Sequence, residues 1–543
     1  MQESGDINEN RCKTLSNELN KVLGGTARGG LFLFLGMTSS MAILAANSMI
    51  IGRLLGPYLY GQYALSLFLP QLLFLFSGFG INQGLIKNIT DLYWRREEKR
   101  LVKIIQSGVM FRGFIGIIAS FAVFCSANYF SSFVGRPEIT LYIQLSSPAL
   151  VFQVLYSVIV AVFIGLEKTN HSALMNVIFA AIKFAASTYL VLIGLKITGA
   201  ILGNLIGYMV VDVIGASILL IKLKNFSQRN GNGEFRFAEN MKILMGFGMP
   251  LYASTLLTGF MPLYQDLILA LSVTSMELGN FKAAINFVTA IKMILSGTSI
   301  ILLQISSKIS SLNMKNRMTS IFKAISKYTA ILIVPAIGAV ILFSKEIIGI
   351  IYGSNYQLAP IYLSSLCIIY LLVPLGYLTL FNLLSGLGET KMALKITLIN
   401  FILFLVLGPS LTKIYGVAGI IASFIISNSA STFFAINLAK RKFRVEFKVD
   451  EILGAYLIGG LSGIPLILFH STFISSTLSV AIGILIYFFT YMTLILLTRI
   501  LNETELKVAI SALHDIRLLV FLIRLITAYQ RKILNIRLFF ISQ

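Results

Sequence analysis

Five charged side chains sit where charge is costly: Arg112, Lys183, Lys292, Asp212 and Asp266 each fall inside a long apolar run of this 543-residue chain. A charge in hydrocarbon costs at least about 2.5–3.5 kcal/mol, so such groups are expected to face a protein interior or a water-filled cavity. Their neighbours extend the pattern. Asn176, Lys183 and Ser187 fall on one helical face, as do Asn204, Tyr208 and Asp212, and so do Asn286, Thr289, Lys292 and Ser296. Ser40 and Asn47 add polar positions to the first run. Such stripes predict a polar, water-accessible cavity. Its three cations against two carboxylates leave it net positive, which suits a phosphate or pyrophosphate group. The expected substrate-binding set is Arg112, Lys183, Lys292, Asp212, Asp266 and Asn47. Two alternatives stand beside it. Lys183 pairs with Asp212 and locks one lobe, or Asp266 binds a cation, pairs with a lysine, or holds two lobes together.

Catalytic chemistry has no comparable signature. There is no Gly-x-x-x-x-Gly-Lys-Ser/Thr loop for nucleotide phosphates, and no clustered Cys/His spacing for a metal. No carboxylate pair has acid–base spacing. Cys12, Cys125 and Cys367 suggest no disulfide framework, and His171, His470 and His514 fall at run ends or in the tail as structural residues. The expectation is a chain that is not an enzyme, uses no cofactor and moves or binds something.

The elements that must position these residues are membrane spans. The chain is 57% hydrophobic and 12% charged, against about 25% charged in soluble domains, and its mean hydropathy is +0.85. Fourteen apolar runs can be drawn, at about 30–51, 63–83, 105–129, 141–165, 172–195, 200–221, 245–271, 282–305, 327–344, 360–385, 394–412, 416–438, 452–470 and 474–499. Of 44 lysines and arginines, 35 fall in alternate gaps and only 6 in the gaps between them. That bias places both termini in the cytoplasm. The net charge of +22 then reflects orientation and anionic membrane lipids rather than nucleic acid.

Residues 1–29 are a polar cytoplasmic segment with no cleavable signal peptide, and 222–244 a cytoplasmic linker. Residues 84–104, with Trp94, read as a surface helix. The 500–543 tail, with Arg517, Arg524 and Arg531 seven apart, reads as a basic amphipathic helix lying at the cytoplasmic interface or docked on the protein.

The chain also repeats. Gly61-Gln62-Tyr63-Ala64-Leu65-Ser66 returns as Gly279-Asn280-Phe281-Lys282-Ala283-Ala284, and Ser77-Gly78 as Ser296-Gly297. Gly165-Leu166-Glu167-Lys168-Thr169 returns as Gly386-Leu387-Gly388-Glu389-Thr390, and Lys196-Ile197-Thr198-Gly199 as Lys413-Ile414-Tyr415-Gly416. The order and near-constant offset predict two six-span lobes, 30–221 and 245–438, related by a pseudo-two-fold along the membrane normal, with a pathway between them. Spans 13 and 14, within 452–499, lie outside the repeat. The fold class is therefore an all-α polytopic membrane protein.

Several stretches resemble one family. Ile51-Gly52-Arg53-Leu54-Leu55-Gly56-Pro57 with Tyr60-Gly61-Gln62-Tyr63 is similar to the opening signature of the polysaccharide-transporter branch of the multidrug/oligosaccharidyl-lipid/polysaccharide flippase superfamily. Asp266 with Gly279-Asn280-Phe281-Lys282-Ala283-Ala284, then Ile350–Tyr356, then Gly386–Lys391, resemble its later signatures, so the likeness spans roughly residues 25–500. The resemblance implies two lobes around a V-shaped cavity and alternating access. It also implies transfer of a polyprenyl- or dolichyl-phosphate-linked oligosaccharide from the cytoplasmic to the outer leaflet, with glycan-assembly enzymes as further partners. Cations are common in such cavities, in kind like Arg112, Lys183 and Lys292. Two other readings remain open: a cation-coupled multidrug or metabolite exporter, which favours acidic cavity groups, and a membrane glycosyltransferase, which the short outer loops disfavour.

Overall fold

Long apolar runs must satisfy every backbone amide within themselves, and helices do so. In the computed structural model the described residues are 3–227, 236–292, 318–387, 389–443, 448–466, 477–498 and 500–501, with side chains from Phe32 onward, and among them there is no strand. The tail beyond residue 501, the middle of the 222–244 linker and Ser296 lie outside the described residues.

The first helices are α1 (Glu3–Ser66), α2 (Phe68–Phe76), α3 (Ile81–Trp94), α4 (Glu98–Phe133), α5 (Thr140–Gly165), α6 (Thr169–Leu190), α7 (Lys196–Ser227) and α8 (Phe237–Ser272). A further helical stretch occupies 275–292. Nine described stretches are long and apolar enough to cross a membrane. Three of them, Phe32–Phe76, Thr169–Lys224 and Lys391–Phe443, hold 45, 56 and 53 residues, more than twice the roughly 20 that one crossing needs.

Each of those three folds back on itself. α1 breaks at Gly56 (φ 72, ψ 168), ahead of Pro57, and returns so that Ser48 Oγ meets the Tyr60 hydroxyl at 2.6 Å. α6 and α7 reverse at Val191–Leu195, which brings Gly203 against Ser187 and Gly207 against Lys183. The helix Thr390–Phe443 breaks at Gly416, and Ser423 Oγ donates to the Leu407 carbonyl at 2.9 Å. The expected spans 1–2, 5–6 and 11–12 are thus tight hairpins.

Two other expectations differ from the structure. Residues 84–104 are not one surface helix. α3 ends at Trp94, a turn with Arg96 at φ 57 intervenes, and α4 begins at Glu98. α3 also buries Ile81, Leu85, Ile89 and Leu92, while Trp94 Nε1 donates to Glu167 at 2.8 Å. Its apolar stripe finds protein partners on α4, α5, α7 and α8. Residues 360–385 are a broken span: Ala359–Cys367, a tighter turn over Ile368–Leu372, then Thr379–Gly386. Pro374 offers no amide donor, and Gly376 (φ 117) and Leu378 (φ 66) are left-handed.

The chain divides into two compact units, Met1–Asn286 and Phe287–Gln543. In the first, α8 packs against α2, α3 and α4, and Asn240 Nδ2 donates to Ser107 Oγ at 2.9 Å. In the second, Val449–Leu461 and Thr477–Leu497 dock on Met318–Leu342 through Ile331, Val334, Ile458, Tyr491 and Ile495. Buried Lys327 meets Glu451 at 3.3 Å, and Tyr487 donates to the Gly459 carbonyl at 3.1 Å. Spans 13 and 14 are thereby anchored to span 9.

Candidate functional site

The α6–α7 hairpin, lying against α1, gathers one group of the expected residues. Ser187, one turn beyond Lys183, donates to the Lys183 carbonyl at 2.6 Å and sits 2.7 Å from the buried Asn47 Oδ1. Lys183 itself is half-buried, its ammonium 5.7 Å from the centre of the Phe179 ring. Phe179 stacks on Tyr208 at 4.3 Å and tilts against Tyr156 at 5.4 Å, and the Tyr156 hydroxyl donates to Asn176. Asn204, buried, has a side-chain oxygen with no hydrogen-bond partner among the described residues. A cation, aromatic faces, amides and a hydroxyl converge here.

Asp212 lies within electrostatic range of Tyr156 and Tyr208 but does not reach Lys183. Lys183 rests against Gly207, and five residues further along α7 is about 140° around the helix. Asp212 therefore faces α4 and α5 instead, and no ion pair with Lys183 forms. Both Asp212 oxygens are buried without a hydrogen-bond partner among the described residues.

Arg112 is closed inside the first unit at 1% exposure. One guanidinium nitrogen donates to the Ser77 carbonyl and, at 3.2 Å, to Ser77 Oγ. The other reaches Ser157 Oγ at 3.1 Å. Ser77 ends α2, and left-handed Phe79 and Gly80 follow before α3. The charge thus sits on the negative end of a helix dipole and fastens the α2–α3 break.

Asp266 is paired: Lys282 Nζ lies 2.6 Å from Oδ1, with the two side chains 20% and 17% exposed. Of its three readings, pairing with a lysine is the one this geometry realises. A double-mutant cycle over Asp266→Asn and Lys282→Met should give a coupling of roughly 1–3 kcal/mol in thermal unfolding, whereas additive losses would mean the contact contributes nothing. Lys292 lies in the second unit, exposed, at the end of the described part of the 275–292 helix.

Sequence reasoning picked out Asn286 but missed the polar belt it joins where helix 275–292 crosses α1. Asn286 Nδ2 donates to Ser48 Oγ at 2.9 Å and to the Tyr60 hydroxyl at 2.7 Å. Gln62 Nε2 reaches Glu138 at 3.2 Å and Tyr58 at 3.1 Å, and Arg136 donates to the Val273 carbonyl. Burial pulls the Arg136 guanidinium below the usual arginine range, with Glu138 and Tyr58 opposing. At the centre the helices touch through glycine. A Cβ on Gly61 would collide with the Ser275 carbonyl, and one on Gly279 with the Pro57 carbonyl. These two glycines are repeat equivalents, so the internal repeat brings its own matching positions together.

Comparison with known proteins agrees with this architecture. A family model described as polysaccharide biosynthesis protein matches residues 50–359. The chain is 24% identical over 375 residues to the probable low-salt glycan biosynthesis flippase Agl15 of Haloferax volcanii, covering 68% of this chain and 76% of that protein. Among solved structures it is similar in fold to the lipid II flippase MurJ in an inward closed conformation, with TM-score 0.66, 14% identity, and 86% and 98% of the two chains covered. It is also similar to an inward-facing multidrug resistance MATE family transporter, with TM-score 0.62, 15% identity, and 76% and 98% covered. With the family model spanning more than half of its length, from the α1 break through the helices that carry Arg112, Lys183 and Asp212, the chain belongs to the polysaccharide biosynthesis protein family.

Proposed function

We propose that this protein is a flippase that carries a lipid-linked oligosaccharide across the cytoplasmic membrane for glycan biosynthesis. The observation that carries the reading is Lys183, a lysine in the middle of a membrane helix with no carboxylate partner among the described residues, set beside Phe179 and Tyr208 and close to Asn47 and Ser187. An ammonium neutralises a phosphate, aromatic faces receive the C–H faces of sugar rings, and amides and hydroxyls bond sugar hydroxyls. Lys292, in the second unit, is a further cation to be tested by itself. Arg112 acts behind Lys183 by holding α2 and α3 in place. The family and the glycan flippase relative favour this substrate class over a multidrug exporter. A lysine at the centre of the polar group also repels the cations such an exporter moves.

Both termini face the cytoplasm in this reading, the basic gaps meet anionic lipid headgroups, and enzymes that assemble the glycan work on the same side. The test is export of surface glycan in cells lacking the native gene. Lys183→Glu and Lys292→Glu should each lower export at least about tenfold while the protein still accumulates in the membrane, and Lys183→Arg should retain most of it. Normal export in both reversals would discard the cavity-cation reading. Proteoliposomes that move amphipathic cations but no lipid-linked oligosaccharide would replace the flippase with the exporter.

A further inference from the structure

The face of α7 turned away from Lys183 borders a cavity that glycan transfer leaves unused. Helices α4, α5 and α7 border a half-open cavity of about 610 Å³, within the roughly 300–1,000 Å³ of small-molecule sites. Its wall is hydrocarbon, from Ile105, Leu155, Ile159 and Leu219 among others, and among the described residues its only polar side chains are Gln106 and Asp212. Asp212 is 6% exposed, and neither carboxylate oxygen has a hydrogen-bond partner among the described residues. Met110 and Leu220, which also line it, are 59% and 66% exposed, so the mouth opens on an apolar surface of the helices.

A carboxylate in such surroundings needs a counter-charge or must give up its own charge. The lining narrows what that counter-charge is. One carboxylate and one amide are too few oxygens for Ca²⁺ or Mg²⁺, which take six or more ligands. A lipid headgroup does not reach it either, because Asp212 lies twelve residues before Lys224 on α7, about 18 Å along the helix. A bulky apolar body fills the rest of the space and enters through an apolar mouth.

We propose that this cavity binds a lipophilic organic monocation, its charge against the Asp212 carboxylate and its apolar body against α4 and α5. Asp212 forms no ion pair with Lys183, although it lies within electrostatic range of Tyr156 and Tyr208, and the proposal does not depend on the flippase reading, since export can fail while the cation still binds.

The test is equilibrium binding of radiolabelled tetraphenylphosphonium to the full-length purified protein in nanodiscs. Wild type should bind saturably. Asp212→Asn, which removes the charge at nearly constant shape, should weaken binding at least about tenfold, and so should Ala216→Phe, which fills the cavity and keeps the carboxylate. Monodisperse elution and an unchanged melting temperature show that each variant is folded. If Ala216→Phe misfolds, Asp212→Asn decides alone. The proposal is overturned by unsaturable wild-type binding, by equal affinity in Asp212→Asn, or by equal competition from neutral tetraphenylsilane.

Discussion

Replacing Arg112 with alanine is expected to abolish export and to destabilise the first unit by about 3–5 kcal/mol. The side chain is among the largest fully buried ones, so its removal leaves a cavity. It also takes the donor from the Ser77 carbonyl and from the Ser157 hydroxyl oxygen, which now receive the two guanidinium nitrogens, and leaves Ser157 only its own bond to the Val154 carbonyl. Ser77 closes α2 just before two left-handed residues. The guanidinium is therefore what holds the α2–α3 break in one shape. Lysine keeps the charge but offers a point donor in place of a fork, so Arg112→Lys should lose roughly 1–3 kcal/mol and retain part of the activity. Thermal unfolding of the purified variants, read beside export in cells, checks this. If Arg112→Ala melts with the wild type yet exports nothing, Arg112 acts on the substrate itself and the fastening role is wrong.

Gly279→Val is expected to have the second large effect. Any Cβ at this position meets the Pro57 carbonyl, and its partner Gly61 is equally closed by Ser275. Backbone cannot retreat as a flexible side chain can, so helix 275–292 must lift away from α1. The overpacking costs about 1–3 kcal/mol. It also stretches the bonds from Asn286 to Ser48 and Tyr60. Export should fall at least about tenfold, and a cysteine placed at Ser48 should become more reactive to a water-soluble maleimide. Gly246→Ala is the control: nothing lies within 4 Å of its added carbon, so α8 should gain about 0.5–1 kcal/mol from better helix propensity. Equal behaviour of the two variants would remove the steric argument.

The residues show why some of the site was legible and some was not. The stripe of Asn176, Lys183 and Ser187 needed only helical periodicity, and α6 presents Lys183 and Ser187 together as that periodicity requires. Asn47 joins them because α1 packs on α6, a matter of which helices neighbour. Lys183 and Asp212 sit on the two arms of one hairpin, so pairing them was reasonable. The register of the hairpin, fixed where Gly203 meets Ser187 and Gly207 meets Lys183, turns Asp212 to the other side. Lys282 stands at the first position of an apolar run, yet the turn near Val273 brings it back to Asp266. Arg112 has no partner that a charge pattern reveals, because its acceptors are a carbonyl and two hydroxyls.

By itself the sequence determined that the chain is helical and crosses a membrane many times, through the length and polarity of its apolar runs. It also determined which side chains inside those runs carry charge, and that two halves repeat. These are properties of single segments, set by hydrogen-bond satisfaction within a helix and by the cost of charge in hydrocarbon. Only the tertiary structure decided which charges meet. It fastened Arg112 to the end of α2, paired Asp266 with Lys282, left Lys183 among aromatic rings and set Asp212 beside an apolar cavity. Those outcomes depend on hairpin register and on how closely two backbones approach, and a shift of one residue, about 100° around a helix, turns a side chain from one neighbour to another.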